Sequence, residues 1–92
     1  MSQVTVHFPG VLRAKVRQQA SVTVEGSTVR EVIESLEQNY PGLRFHLCYE
    51  TGELRPYVNI FLQRTNIRYL QGLETPVPSG ARLQILQSVA GG

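Results

Sequence analysis

Gln3-Val4-Thr5-Val6-His7-Phe8 alternates polar and apolar residues, which sets Val4, Val6 and Phe8 on one face of a half-buried strand. Pro9-Gly10 breaks that pattern. Ala20-Ser21-Val22-Thr23-Val24 is rich in β-branched residues and reads as a second strand, joined to the first as a hairpin across Pro9 to Gln19. After a turn at Glu25-Gly26-Ser27 the period changes. Val29, Val32, Ile33 and Leu36 fall at i, i+3, i+4 and i+7, one stripe of a helix whose wet face carries Arg30, Glu31, Glu34, Glu37 and Gln38. Thr28 and Glu31 fit a capping box at its start. Tyr40-Pro41-Gly42 stops it, because a residue before proline avoids helical angles. The helix is about 11 residues, roughly 17 Å long.

Residues 43–56 carry a mixed signal. Leu43, Phe45, Leu47 and Tyr49 alternate as in a short strand, whereas Tyr40, Leu43 and Leu47 equally suit a helical turn. Thr51-Gly52-Glu53 is a turn. Tyr57-Val58-Asn59-Ile60-Phe61-Leu62 is a strand with Val58, Ile60 and Leu62 toward the core. Ile67 to Leu70 is a short extended piece, and Pro76, Pro78 and Gly80 make a rigid connector. Arg82-Leu83-Gln84-Ile85-Leu86 is the last strand, with Leu83 and Ile85 inward. One amphipathic helix then covers one face of a mixed sheet, and the other face stays open. This order predicts an α+β chain of the β-grasp (ubiquitin-like) class, a domain over 1–88 followed by a flexible tail over 89–92. In that fold the first and last strands lie side by side, so the tail extends a central strand.

Composition narrows the function classes. Ninety-two residues suit one domain. The single cysteine, Cys48, excludes an intrachain disulfide; with no signal peptide in the sequence, a reducing, cytoplasmic setting is expected. No apolar run is long enough for a membrane span, so no membrane partner is expected. The net charge of +2 is too mild to imply nucleic acid. There is no aspartate, and His7 and His46 stand far apart, so no metal-ligand spacing appears. No phosphate-binding loop, dinucleotide fingerprint or nucleophile elbow is present, and no cofactor of its own is expected. A ferredoxin is excluded, since an iron–sulfur cluster needs several cysteines.

Several short motifs in fixed order resemble the ThiS/MoaD family of sulfur carriers. They are Gly26-Ser27-Thr28-Val29-Arg30-Glu31-Val32-Ile33 with Leu36, Tyr40-Pro41-Gly42-Leu43, Tyr57-Val58-Asn59-Ile60, Asn66-Ile67-Arg68, Gly72-Leu73-Glu74-Thr75-Pro76, Ser79-Gly80 before Leu83-Gln84-Ile85-Leu86, and the closing Val89-Ala90-Gly91-Gly92. The extra length at 44–56 resembles the longer carriers that feed sulfur into cysteine synthesis. Two turns depart from the family's habit: Gly80-Ala81 stands where Gly-Asp is frequent, and Gln63-Arg64-Thr65-Asn66 where an Asn-Gly turn is frequent.

The resemblance implies a protein co-substrate and not an enzyme. An adenylating enzyme of the MoeB/ThiF kind converts the Gly92 carboxylate into an acyl-adenylate. A sulfur donor displaces AMP and leaves a Gly92 thiocarboxylate, which a sulfur-accepting synthase consumes in making cysteine, molybdopterin, thiamin or a related metabolite. Adenylation is needed because a carboxylate repels nucleophiles and hydroxide is a poor leaving group. Gly91 and Gly92 carry no Cβ, and Ala90 adds little bulk, so the tail can enter a narrow channel. The alternative is a ubiquitin-like modifier joined to lysine through Gly92; a plain β-grasp binding module with an irrelevant tail is the third reading.

By alternation the open sheet face carries Thr5, His7, Asn59, Phe61, Gln84 and Leu86. Phe61 and Leu86 make it a docking surface for the activating enzyme, unless residues 43–56 fold over it. Arg13, Lys15 and Arg17 alternate and read as a solvated charge stripe on an edge strand, with an acidic partner or a nucleic acid as the functional alternative. Arg64 and Arg68 are expected near the sheet rim, with pairing to carboxylates on a partner as the functional alternative. Cys48 is read as a small buried hydrophobe, and His7 and His46 as non-catalytic.

Overall fold

The computed structural model describes residues 3–87. Strands β1 (Gln3–His7), β2 (Ser21–Glu25), β3 (Val58–Leu62), β4 (Thr65–Asn66) and β5 (Arg82–Gln87) form one sheet in the order β2-β1-β5-β3-β4. β1 runs parallel to β5, with Thr5 beside Arg82, Val6 beside Leu83 and His7 beside Gln84. The β1–β2, β3–β4 and β3–β5 pairs are antiparallel. Helix α1 (Gly10–Arg13) follows β1, and the main helix α2 (Val29–Asn39) and the short helix α3 (Leu43–Leu47) lie between β2 and β3. This is the β-grasp arrangement, with β5 in the centre of the sheet. The expected boundary at 88 and the tail at 89–92 lie outside the described residues.

The core forms where the two periodicities meet. The inward strand residues Val4, Val6, Val58, Ile60, Leu83 and Ile85 and the helix stripe Val29, Val32, Ile33 and Leu36 are all buried. Leu62, expected inward, is partly buried at the edge of that cluster. α2 has the predicted bounds because both its ends are chemically fixed. Thr28 Oγ1 accepts from the Glu31 N–H at 3.2 Å, and the Glu31 carboxylate accepts from the Ser27 N–H at 2.9 Å. At the other end Tyr40, ahead of Pro41, leaves helical angles with φ −134° and ψ 79°. Gly26 is required for another reason: a Cβ there would stand 2.7 Å from the Val32 backbone nitrogen.

Two expectations are corrected, and one open choice is decided. Residues 10–16 do not extend toward β2 as a strand; they form α1 and a 3₁₀ turn at Ala14–Val16. Leu12 and Val16, four residues apart, are buried, and this packing overrides the alternation of Arg13, Lys15 and Arg17. The alternatives at residues 43–56 resolve into helix α3, which buries Leu43 and Leu47 beside α2. The Glu37 carboxylate holds its first turn, accepting from the Gly42 N–H at 3.0 Å and the Arg44 N–H at 2.9 Å. Those two backbone bonds, Gly42 first, pull the Glu37 carboxyl below its ordinary value. Ile67–Tyr69 is a 3₁₀ turn and not an extended piece, because the Asn66 side chain accepts from the Arg68 N–H at 2.9 Å and starts the turn.

The two turns that depart from the family's habit are also accounted for. Gln63 takes φ 55°, the left-handed conformation that an Asn-Gly turn supplies without strain. Gly80 has φ 83°, and Ala81 behind it is buried, its carbonyl accepting from the Thr5 N–H at 3.1 Å.

Candidate functional site

The expected reacting atom is the carbonyl carbon of Gly92. Gly92, Gly91 and Ala90 lie outside the described residues, and the platform that precedes them in the chain is what the structure describes. That platform is β5. It is bonded on one side to β1 and on the other to β3, whose first residue, Val58, pairs with Gln87. Supporting bonds continue the ladder at the strand's start: the Gly80 N–H donates to the Gln3 carbonyl at 2.7 Å, and the Gln63 N–H to the Arg82 carbonyl at 2.9 Å. Gly92 is the fifth residue after Gln87. Fully extended, five residues reach at most about 17 Å.

Alternation along β5 turns Leu83 and Ile85 into the core and Arg82, Gln84 and Leu86 outward. Phe61 pairs with Gln84, and Asn59 with Leu86, so Phe61 and Leu86 are diagonal neighbours on the open face. Leu86 is 39% exposed, and Phe61 is half-buried. Residues 43–56 do not cover this face: Leu43, Leu47 and Cys48 join the core, with Leu54 packed against it. Thr5 and His7 are half-buried on the same face as Gln84, which pairs beside His7.

Arg68 is not a free rim cation. Its guanidinium donates to the carbonyls of Val58 at 2.7 Å and Arg55 at 2.9 Å, and to Asn59 Oδ1 at 3.3 Å. The Asn66 amide also donates to Asn59 Oδ1, at 3.2 Å. This network ties the 3₁₀ turn at Ile67–Tyr69 to the start of β3, beside the exit of β5. Sequence reading missed it; the signal was the Asn-x-Arg spacing of Asn66 and Arg68. Arg64 is exposed in the β3–β4 turn, at the opposite end of the sheet from Gln87.

Cys48 is 4% exposed, and burial pushes its thiol up from the ordinary value, which favours the inert protonated form. Among the described residues no group of three His, Cys, Asp or Glu is placed to hold a metal ion, and no helix is long and apolar enough to cross a membrane.

Comparisons with known proteins agree with this geometry. A model of the ThiS family matches residues 6–92. The sulfur carrier protein CysO of Mycobacterium tuberculosis is 38% identical over 91 residues, covering 97% of this chain and 98% of that protein. A chain in the crystal structure of the Amycolatopsis orientalis BexX/CysO complex superposes with a TM-score of 0.90 at 36% identity, covering 97% of this chain and 99% of that one. The small archaeal modifier protein 1 of Methanosarcina acetivorans superposes with a TM-score of 0.84 at 32% identity, covering 100% of this chain and 98% of that one. These relatives are small carrier and modifier proteins, not enzymes. With a β-grasp body, a central last strand and a family match across nearly its whole length, the chain belongs to the ThiS family.

Proposed function

We propose that the protein is a sulfur carrier whose Gly92 carboxylate is adenylated by a MoeB/ThiF-like enzyme and then converted to a thiocarboxylate. The observation that supports this reading is the position of β5: the chain leads to Gly92 from the central strand of the sheet, held between β1 and β3 as far as Gln87, the last described residue. A carrier needs a body fixed by its core and a terminus of little side-chain bulk, as Ala90-Gly91-Gly92 is. The partner supplies the nucleotide site. The carbonyl carbon of Gly92 is attacked once AMP replaces hydroxide as the leaving group, and the resulting sulfur is a good nucleophile at neutral pH. A sulfur-accepting synthase is the final partner, with cysteine synthesis the favoured destination because of the similarity to CysO. Gly91 and Ala90 fit the partner's channel, and Leu86 with Phe61 forms the contact beside its mouth. Incubation with ATP, the adenylating enzyme and a sulfide donor should raise the intact mass by one oxygen-to-sulfur exchange; an unchanged mass refutes the reading.

A second reading, a modifier joined to lysine through Gly92, is favoured by the similarity to the small archaeal modifier protein. Lysine-linked adducts on other proteins in the native host would identify it.

A further inference from the structure

β1 and β5 run parallel, with His7 beside Gln84, so the chain after β1 emerges at the same end of the sheet as the chain after β5. The segment that emerges is α1 and the 3₁₀ turn Ala14–Val16. Leu12 and Val16 anchor it, at 3% and 0% exposure, and this turns Arg13, Lys15 and Arg17 outward, together with Val11, which is 71% exposed. Among the described residues the ion pairs are Arg30 with Glu74 and Arg44 with Glu34, so none of these three cations has a carboxylate partner there. Arg13 donates through Nε to the Phe8 carbonyl at 3.3 Å, and the Arg17 guanidinium lies 5.8 Å from the centre of the Tyr40 ring. Neither contact neutralises the charge.

The backbone holds this face in a costly conformation. Arg17 and Gln18 have φ 57° and 63°, two consecutive non-glycine residues in the left-handed region. The turn is closed by the Gln18 N–H on the Arg13 carbonyl at 2.6 Å, and the Gln19 amide donates to the Val16 carbonyl at 3.0 Å and to the Tyr40 hydroxyl at 2.8 Å. Strain of this kind costs roughly 1 kcal/mol or more per residue and persists where the surroundings over-determine it. Three like charges within five residues add repulsion.

We propose that Val11, Arg13, Lys15 and Arg17 form a docking surface for an acidic protein surface bordering the channel that receives the C-terminal tail. The proposal rests on the carrier reading above. Unpaired cations are complementary to carboxylates, and their place beside the exit of β5 brings them to any partner that takes the tail. An exposed valine among them suits a protein contact better than a phosphate backbone. Such charges act mainly on encounter, raising the association rate in a salt-dependent way.

The test is the triple variant Arg13→Gln/Lys15→Gln/Arg17→Gln against wild type, with Arg64→Gln as a control at the far end of the sheet. Association with the purified adenylating enzyme should slow about tenfold at low salt and lose most of its salt dependence, while Arg64→Gln changes little. In ATP–pyrophosphate exchange the KM for the carrier should rise with kcat unchanged. Lys15→Glu, at a side chain with no hydrogen bond to lose among the described residues, gives the same readout if the triple variant misfolds. A variant with wild-type association rates at both salts overturns the proposal and leaves the carrier reading standing. Intact exchange with lost binding to a single-stranded RNA oligonucleotide overturns it in favour of a nucleic-acid surface. A wild-type chain that gives no exchange overturns the carrier reading and this proposal together.

Discussion

The Arg68 guanidinium donates a 2.7 Å hydrogen bond to the carbonyl of Val58, the residue paired with Gln87 at the last described position of the central strand. The same group reaches the carbonyls of Arg55 and Pro56. Arg68→Ala should lower stability by about 1 kcal/mol, the net worth of charge-assisted bonds discounted for exposure. Arg68→Lys should recover little, because an ammonium cannot span several carbonyls as the planar fork does. Urea unfolding of the two variants measures both effects.

Gly92→Val should abolish adenylation and leave the fold intact, since a branched side chain crowds the reacting carbon without touching the core. The readouts are ATP–pyrophosphate exchange with the adenylating enzyme and the thermal melt; normal exchange would refute the assignment of the reacting carbon.

Leu86 is exposed and Phe61 half-buried on the open face, so truncating them separates binding from stability. Leu86→Ala should weaken association with the adenylating enzyme about tenfold while changing stability by about 0.5 kcal/mol or less. Phe61→Ala should weaken association similarly and cost more stability than Leu86→Ala. Calorimetric titration and denaturant unfolding report the two quantities.

Gly26→Ala should destabilise the fold by about 2 kcal/mol, because the new methyl meets the backbone nitrogen and side chain of Val32 at 2.7 and 2.8 Å. Neither atom is the free end of a flexible chain. An unchanged melting temperature would mean that α2 moves away from the turn at no cost.

Glu37 sets an acid-side dependence. Its folded carboxyl lies below the ordinary carboxylate value because it accepts the Gly42 and Arg44 N–H groups. A depressed pKa gives stability that is present above the unfolded value and lost as pH falls through the folded one. Wild type should therefore be more stable than Glu37→Gln at neutral pH, and the gap should close as the medium becomes acidic. Unfolding at a series of pH values measures it; a constant gap would show that the bonds do not depend on the charge.

The legible parts of the fold were those in which local and tertiary preferences agree. α2 has its stripe, its cap and its stop within a few residues, and β1, β3 and β5 alternate cleanly, so their placement needed no knowledge of neighbours. α1 and α3 are too short to hold themselves together, and their burial of Leu12, Val16, Leu43 and Leu47 decides their form. At Arg13, Lys15 and Arg17 the charges drew attention to a period of two, while the informative pair was Leu12 and Val16. The terminal glycines were evident at once from the sequence. What it did not reveal was that the basic segment and the departing strand share one end of the sheet, because that depends on the parallel pairing of His7 with Gln84.

That β5 is clamped between β1 and β3 has a mechanical consequence. A pull applied beyond Gln87, as when a partner draws the chain inward, loads both flanking ladders in shear, so many hydrogen bonds share the force instead of opening one by one. Traction on the terminus would therefore bring the whole globule up against its partner before any strand peels away.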